Sequence, residues 1–535
     1  MTEEEKYLLE PFFTNLDKPV FAVTFLPPEV IGALCSRTSR AKDDLRIILL
    51  NEFIKPFVQE KDEYGESLKA LIDFLHKYPI EVIFSNPKGR EFYIKWLAQF
   101  GDDSIAQMAG THLIYTDLSQ LAIKYFEDMR IGIAPIEKST RYVDYSEKVN
   151  GRYRYYIDEE LEKIEGYKET MDHLFETYTS LLNKYLDYLK KKYPEEKQSL
   201  LKTKAFDVVR KLLPVSTLSQ VSFYGNGQAF EYLINRSLNN KLAEVSLAAK
   251  QGFEELNKII PAFLRRVESE DANTYRNYLS ERGERIEASL NKINWKKQII
   301  NSSSPVKLLD YDSDGENKII AGLVYLNLNE PYDSILGKVR KLSNDDKDKI
   351  LNNILKDRKY KYYKIPRAFE NSYLRFEVLI NIGAWRDLHR HRMLTQYRQR
   401  FNICNGFDVP KELKEAGLDS YYINAINKAE ELFKKAEKID PDLAQYCCTL
   451  AHKVRFIQYQ NLRGFFWESE LRTIPEGHPD YRKIEHDKIK LIKGIYPLIS
   501  KYLLVDMNNY EFARRMTKQN IEKKEKELKE FFVNK

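Results

Sequence analysis

Apolar and polar residues follow a helical period along two long stretches of the chain. In residues 158–194 and 411–438, apolar side chains recur every three or four positions among lysines and glutamates, which predicts amphipathic surface helices. Shorter apolar runs, THLIY at 111–115 and LRFEVLI at 374–380, are typical of strands. The pattern therefore predicts a largely helical α+β chain.

The order of these elements recurs in the two halves of the chain. The first strand is followed by Asp117, a candidate helix N-cap, and by a helix that the pattern extends to about Arg130. The second strand leads through a turn at Gly383 into a helix predicted to run through Arg392. This recurrence indicates an internal duplication, and a chance similarity of two α+β halves is the alternative.

A second landmark supports the duplication and sets the domain boundaries. Each half contains a later aromatic-rich strand that ends at an asparagine, Asn226 in FYGNGQ and Asn461 in FIQYQNLR. The composition turns polar between the halves, with a break at 302–305. We therefore expect a first repeat at 1–265, a polar and helical linker at 266–304 and a second repeat at 305–535.

Composition narrows the class of protein. The chain has 535 residues, of which 43% are apolar and 31% charged, so it can build a large core and is not a disordered segment. Its net charge of +6 is small for this length and argues against a dedicated nucleic-acid binder. Anionic small molecules remain candidate ligands.

Cysteines and the N-terminus indicate the compartment. None of the four cysteines belongs to a C-x-x-C pair, so the sequence predicts neither a disulfide framework nor a metal site. The start, MTEEEKYLLEPFF, lacks the order of a signal peptide, and no stretch approaches the ~18 apolar residues that a membrane span needs. We therefore expect a cytoplasmic protein without a membrane segment.

The densest candidate for chemistry is the segment WRDLHRHRMLTQYRQRF at 385–401, which holds five arginines and two histidines. On a helix, Arg386 and Arg390 would share one face. So much positive charge requires counter-charge, and acidic neighbours, RNA or nucleotide phosphates could each provide it.

A second candidate lies in the first half, where Glu137, Ser139, Arg141 and Tyr142 form the pattern E-x-S-x-R-Y. An extended backbone would place Glu137, Ser139 and Arg141 on one side. A carboxylate, a hydroxyl and a guanidinium together suit a polar ligand with a phosphate. An ordinary turn is the alternative.

These two segments resemble the two parts of one signature, R-H-R-x(2)-S-x-N-E-x-S-x-R-Y, of the flavin-dependent thymidylate synthases. The second half supplies its opening as Arg390, His391 and Arg392, and the first half supplies its E-x-S-x-R-Y ending. In the second half, F-E-N at 369–371 is similar to the family's F-E-H, and NLRGFFWESELR matches its N-x-R followed nine residues later by a substrate-ionising arginine.

The resemblance implies a fold and a reaction. The fold would be α+β, with two tandem copies that each contain a small antiparallel sheet and many helices. The enzyme would methylate dUMP to dTMP, with methylenetetrahydrofolate as one-carbon donor and FAD reduced by NADPH. Sites in this family are assembled between subunits, so the resemblance also implies a homodimer that forms a pseudo-tetramer.

The resemblance also assigns roles to residues. Arg472 would be catalytic, because a guanidinium beside the uracil ring favours its anionic form. The side chains implied to bind substrate are those of Glu137, Ser139, Arg141 and Tyr142. Those implied to bind the flavin are Arg390, His391, Arg392, Asn461, Arg463 and Asn371.

Departures from the signature keep other functions open. Asn371 replaces the histidine of F-E-H, and Asp387 stands where a glutamine precedes R-H-R. In the first half, Gln228 occupies the position that matches Arg463, and Ser237 occupies the position that matches Arg472. Arg236 lies next to Ser237. A non-catalytic nucleotide- or flavin-binding relative is therefore one alternative, and an RNA-binding protein is another.

Overall fold

The computed structural model describes residues 1–60, 62–78, 104–293, 304–512 and 524–530, together with a few positions between 87 and 95. The described chain forms two compact units, each of which contains one sheet. The first unit comprises Met1–Thr179, Leu213–Gln298 and Ala425–Cys448, and the second comprises Ser180–Leu212, Ile299–Asn424 and Thr449–Lys535. The predicted break at 302–305 lies largely outside the described residues.

The first unit is built on a four-stranded antiparallel sheet. Its strands are β1 (Val20–Ala22), β2 (Gly110–Ser119), β3 (Ile133–Glu137) and β4 (Leu218–Asn226). They lie in the order β1-β2-β4-β3. Gly110 pairs with Asn226, and a bulge interrupts β2 between Tyr115 and Leu118. Its principal helices are Pro28–Thr38, Glu63–Lys77, Gln120–Glu127, Gly227–Ser237, Ala243–Asn257 and Glu270–Lys292.

The second unit has a sheet with the same order of strands. They are β5 (Val306–Tyr311), β6 (Tyr373–Asn381), β7 (Thr395–Arg398) and β8 (Lys453–Asn461). All are antiparallel and lie in the order β5-β6-β8-β7. The principal helices of this unit are Gln198–Val209, Gly315–Tyr325, Tyr332–Lys341, Asn344–Leu355, Ile382–Leu388, Leu462–Arg472 and Pro479–Ile495. The predicted α+β class is confirmed.

The two long amphipathic stretches are helical, as the periodicity predicts. They form helices Tyr167–Lys192 and Asp419–Ile439, each of which contributes residues to both units. Within the described part of the chain, no helix combines the length and the apolar character needed to cross a bilayer.

The two central strands of each sheet end on a side chain that caps the next helix. The strand-ending residues Asn226 and Asn461 accept hydrogen bonds from the backbone amides of Ala229 and Gly464, both at 2.8 Å. Ser119 and Asn381 play the same part at the ends of β2 and β6. A side-chain oxygen that accepts from an amide of the first turn stabilises a helix start by about 1 kcal/mol.

Two local predictions for the first half are wrong. Ser119, not Asp117, caps the first-half helix, because β2 continues through its bulge, and Asp117 pairs instead with Arg154 at 3.1 Å. That helix ends at Glu127, before Arg130, which has a left-handed φ of 53°.

The second-half helix is also shorter than predicted. It ends at Leu388 rather than Arg392, because the chain must turn back to enter β7 at Thr395. Arg386 and Arg390 therefore do not share a helix face. Gly383 lies in the first turn of this helix instead of preceding it.

Candidate functional site

Two residues of the second half that are far apart in sequence meet directly. Nε of Arg472, the last residue of helix Leu462–Arg472, donates a hydrogen bond of 2.8 Å to Nε2 of His391. His391 lies in the turn after helix Ile382–Leu388 and is buried, whereas its neighbours Arg390 and Arg392 are exposed. The tertiary fold thus joins the R-H-R segment to the predicted substrate-ionising arginine.

The protonation state of His391 follows from its surroundings. The pKa of His391 is lowered to about 3, chiefly by burial; the charge of Glu468 opposes the shift, and the charges of Arg472 and Lys488 contribute to it. The imidazole is therefore neutral at ordinary pH. Because its Nε2 accepts from Arg472, the proton of the neutral ring must be on Nδ1.

Arg472 keeps most of its hydrogen-bonding capacity for another group. Its guanidinium carbon lies 5.6 Å from the ring centroid of Tyr481. Among the residues that the structure describes, its two terminal amino groups donate no hydrogen bond. A half-buried guanidinium that is held through Nε and open at its other end is suited to bind an anion or a carbonyl.

A cavity of about 300 Å³ lies beside the other motif residues of the second half. Its lining includes Asn461, Arg463 and Met393, the last of which follows R-H-R by one residue. Arg463 is held in place by Glu370, at 2.7 Å from its Nη1, and by the carbonyl of Ile365 at 3.1 Å. The cavity therefore brings together the N-x-R motif, the F-E-N glutamate and the residue that follows R-H-R.

Cations and aromatic rings dominate the remaining wall of this cavity. Arg358 forms a fork with the buried carboxylate of Glu470, with 2.7 Å between Nη1 and Oε1. Nζ of Lys364 lies 3.1 Å from the ring centroid of Trp467. A site with fixed cations and an aromatic surface suits a ligand that carries both phosphate and a flat ring, and FAD has both.

Four of the predicted flavin residues do not line this cavity, namely Arg390, His391, Arg392 and Asn371. Asn371 is bound within its own segment. Its amide donates to the carbonyl of Ala368 at 3.0 Å, and it packs close to Gly322, where a Cβ would be 2.6 Å from Nδ2. It therefore contacts the neighbouring helix Gly315–Tyr325.

In the first unit, the glutamate of E-x-S-x-R-Y belongs to a buried ionic cluster. Nζ of Lys124 lies 2.5 Å from Glu127 and 2.9 Å from Glu137, and all three side chains are almost fully buried. Glu137 is thus fixed at the end of β3 by an internal cation.

The rest of this motif forms a turn, not the extended segment that alternation predicted. The amides of Tyr142 and Val143 donate to the carbonyl of Ser139, at 3.2 and 3.0 Å. The Ser139 hydroxyl accepts from the amide of Arg141, which is buried, while Tyr142 is exposed. The strand ends at Glu137, so the three side chains do not alternate along one edge.

A buried lysine within this motif was not predicted. Nζ of Lys138 donates to the carbonyls of Lys42 and Asp43, at 2.8 and 3.0 Å. Burial lowers the pKa of Lys138 to about 8, with the charge of Arg154 acting in the same direction. Lys138 thus anchors the motif on the segment that precedes helix Leu45–Ile48.

The first half offers no guanidinium at the position equivalent to Arg472. Ser237 occupies that position at the end of helix Gly227–Ser237 and is buried. Arg236 is exposed and donates to the hydroxyl of Tyr232 at 3.4 Å. Adjacent helical residues point in different directions, so Arg236 does not replace Arg472.

A larger cavity in the second unit, about 840 Å³, lies around the start of β8. Its charged side chains are largely paired with each other, as in Lys211 with Asp480 at 2.7 Å and Lys453 with Asp408 at 3.2 Å. None of the residues that the motifs predicted lines it. The candidate site is therefore the smaller cavity together with the His391–Arg472 pair.

Comparisons with known proteins place the chain in a family. The family described as thymidylate synthase complementing protein matches residues 60–262 and 307–498. The chain belongs to this family, which is flavin-dependent, and the match to two separate segments is consistent with a tandem duplication.

The chain is also similar along its whole length to several relatives. It is 34% identical to a UPF0159 protein of Chlamydia muridarum, over 96% of this chain and 97% of that protein. It is 27% identical to the UPF0159 protein Ta1429 of Thermoplasma acidophilum, over 90% of this chain and 96% of that protein. A solved structure of a UMP/dUMP methylase, PolB from Streptomyces cacaoi, matches with a TM-score of 0.29 at 13% identity, over 37% of this chain and 93% of that one.

Proposed function

We propose that the protein is an FAD-dependent thymidylate synthase that methylates dUMP to dTMP, with methylenetetrahydrofolate and NADPH as co-substrates. The observation that supports this most is the direct hydrogen bond between Arg472 and His391. It joins, within one unit, a cation free to act on a substrate and the segment expected to bind the flavin. The flavin would supply the hydride chemistry, and the chain would bind and orient the reactants.

The reaction requires charge stabilisation at the pyrimidine. Removal of the N3 proton of uracil, or polarisation of its carbonyls, makes C5 more electron-rich. The terminal amino groups of Arg472 would stabilise that negative charge, and the neutral His391 would hold the guanidinium without competing as a second cation. Arg463, Asn461 and the exposed Arg390 and Arg392 would bind the flavin.

The substrate phosphate would be bound by the first half. We propose that Ser139 and Arg141 hold it, with Tyr142 beside them and Glu137 orienting donors. Each half would then have kept what the other has lost, with complete sites combining the first-half turn and the second-half cavity. Two chains would form a pseudo-tetramer with two complete and two vestigial sites, in the cytoplasm.

Anaerobic turnover tests the proposal. Purified protein with FAD, dUMP, methylenetetrahydrofolate and NADPH should produce dTMP, and Arg472→Lys should strongly reduce the rate. Arg236→Lys, in the equivalent helix of the first half, is the matched control and should have little effect. A yellow protein that binds dUMP without forming dTMP would instead support a non-catalytic relative.

A further inference from the structure

A network of fully buried polar side chains lies next to the His391–Arg472 pair. Nζ of Lys488 is 2.7 Å from Glu485 and 3.6 Å from Glu468, and it donates to Oε1 of Gln458 at 2.6 Å. The amides of Gln458 and Gln460 both donate to Glu468 at 2.8 Å. Every one of these side chains is at most 2% exposed.

The same fold is built without this network in the first unit. The two matching strands, β4 and β8, end at Asn226 and Asn461, each of which caps the next helix. Counting from these residues, Phe223 stands for Gln458 and Leu233 for Glu468, and both are buried. The sheet and its helix therefore do not require charges at these positions.

The helix that carries Glu485 and Lys488 also has a first-unit counterpart without these charges. Glu244 and Asp480 are the second residues of helices Ala243–Asn257 and Pro479–Ile495. Each accepts a hydrogen bond from the residue that ends β2 or β6 and caps the helix after it, Ser119 for Glu244 and Asn381 for Asp480. From this match, Ala249 stands for Glu485 and Gly252 for Lys488. A Cβ at Gly252 would lie 2.2 Å from the hydroxyl of Tyr115, so that ring fills the space.

A buried ion network is costly, since each ion loses its hydration. The first unit shows that apolar side chains can fill the equivalent space. The network occurs in the unit that holds the His391–Arg472 pair, and Glu468 lies one helical turn before Arg472 on the same face. The network is therefore expected to act on the His391–Arg472 pair.

We propose that Lys488 is a positioning residue for Arg472: by neutralising Glu468, it keeps His391 an uncharged acceptor that holds the Arg472 guanidinium. The inference rests on the proposed function only for what Arg472 does to a substrate. The charged groups with the largest effect on the pKa of His391 are Glu468 and Arg472 from one helix, Lys488 from the next and Asp387 from a third.

The charge of His391 decides whether its Nε2 can accept a hydrogen bond. A carboxylate without a counter-ion would attract a proton to a nearby imidazole. Protonated His391 would have N–H groups on both nitrogens, so it could not accept from Arg472, and two cations would face each other. Lys488 prevents this by compensating Glu468.

Lys488 also contacts Glu485, but its charge is needed mainly to compensate Glu468. Burial raises the pKa of Glu485 to about 7, although Lys488 opposes the shift. For Glu468, burial acts to raise the pKa, but the charge of Lys488, with the hydrogen bonds from the two glutamine amides, acts against it, and the pKa is lowered. Glu468 is therefore the permanently ionised partner of Lys488.

The test compares Lys488→Met, Glu468→Gln and the double variant, with Lys318→Met as the control. Lys318 pairs with Asp312 at 2.8 Å in the same unit and lies on helix Gly315–Tyr325, which carries none of the network residues. The first readout is the protonation of His391, followed by ¹⁵N NMR of its ring from about pH 5 to 8, without flavin or nucleotide. The second is the pH profile of turnover.

In the wild type and the control, His391 should stay neutral throughout. In Lys488→Met it should titrate within this range, and kcat at the acid end should fall roughly 10- to 100-fold, as expected when a catalytic group is misplaced. Both effects should disappear in Glu468→Gln/Lys488→Met, which has no buried charge at either position.

Other outcomes separate the hypotheses. If His391 remains neutral in Lys488→Met, or if the double variant loses as much activity as the single one, the inference is wrong. If Lys488→Met does not fold, Lys488→Gln makes the same charge change and keeps hydrogen bonds. If the wild type forms no dTMP but His391 responds as expected, the network stands and the proposed function fails.

Discussion

Arg472 and His391 are 81 residues apart in sequence and are joined by a hydrogen bond of 2.8 Å between Nε and Nε2. The bond uses Nε, so both terminal amino groups, Nη1 and Nη2, can still donate to a ligand. It fixes the plane of the guanidinium and leaves its outer edge for a ligand. Three of the predictions below concern the proposed site, and the fourth concerns the stability of the first unit.

Replacement of the guanidinium should abolish turnover without unfolding the protein. Arg472→Ala removes the group that would stabilise the pyrimidine anion, so we expect kcat to fall ~10²–10³-fold. Steady-state kinetics and circular dichroism measure the two properties. Arg236→Ala, on the exposed side of the equivalent first-half helix, is the control, and an equal loss of activity in both variants would contradict the assignment.

Flavin affinity should depend on the second half. Arg463→Ala and Arg390→Ala each remove a cation from the proposed flavin site, and a hydrogen bond to a charged group is worth roughly 1.5–3 kcal/mol. The double variant should therefore lose its flavin during purification, measured as the ratio of visible to ultraviolet absorbance. Gln228→Ala, at the first-half position that matches Arg463, should retain its yellow colour.

Mixing two inactive variants should show which halves form a site. Arg141→Ala and Arg472→Ala chains would each lack one part of the proposed composite site. If sites join halves of different chains, mixed dimers should regain one site with two unmutated halves, and activity should reappear after subunit exchange. If mixing restores nothing although heterodimers form, each site belongs to a single chain.

The stability of the first unit should depend on pH through Glu244. This carboxyl is buried, accepts from the amide and hydroxyl of Ser119 and from the Tyr446 hydroxyl, and burial raises its pKa to about 7. The unfolded carboxyl titrates near its ordinary value of 4.5. The folded protein therefore binds more protons than the unfolded one between these values, and the free energy of unfolding falls as pH rises.

Glu244→Gln should remove this dependence. Over the full window the contribution amounts to about 3 kcal/mol, so denaturant unfolding should show the variant gaining stability relative to the wild type from about pH 4.5 to pH 7. Glu254→Gln, exposed on the same helix, should follow the wild type. A constant difference between wild type and Glu244→Gln would show that Glu244 does not titrate in this window.

The sequence by itself determined the α+β class, the long amphipathic helices and the asparagines that end β4 and β8. These features depend on local pattern, since periodicity and a capping side chain act over a few residues. Its resemblance to the family signature also predicted site roles for Arg472, His391, Asn461 and Arg463, and these roles stay predictions. The sequence did not predict the ends of the helices correctly, because the bulge in β2 and the turn into β7 depend on pairing with distant strands.

Only the tertiary structure decided how these residues act on one another. The contact between His391 and Arg472, the capture of Glu137 by Lys124 and the turn at Ser139 all arise from packing between segments distant in sequence or from turns that alternation does not encode. The network around Lys488 is the clearest case. In the sequence, nothing distinguishes its residues from other polar residues. Their charges acquire a role only because folding removes them from water and places them together.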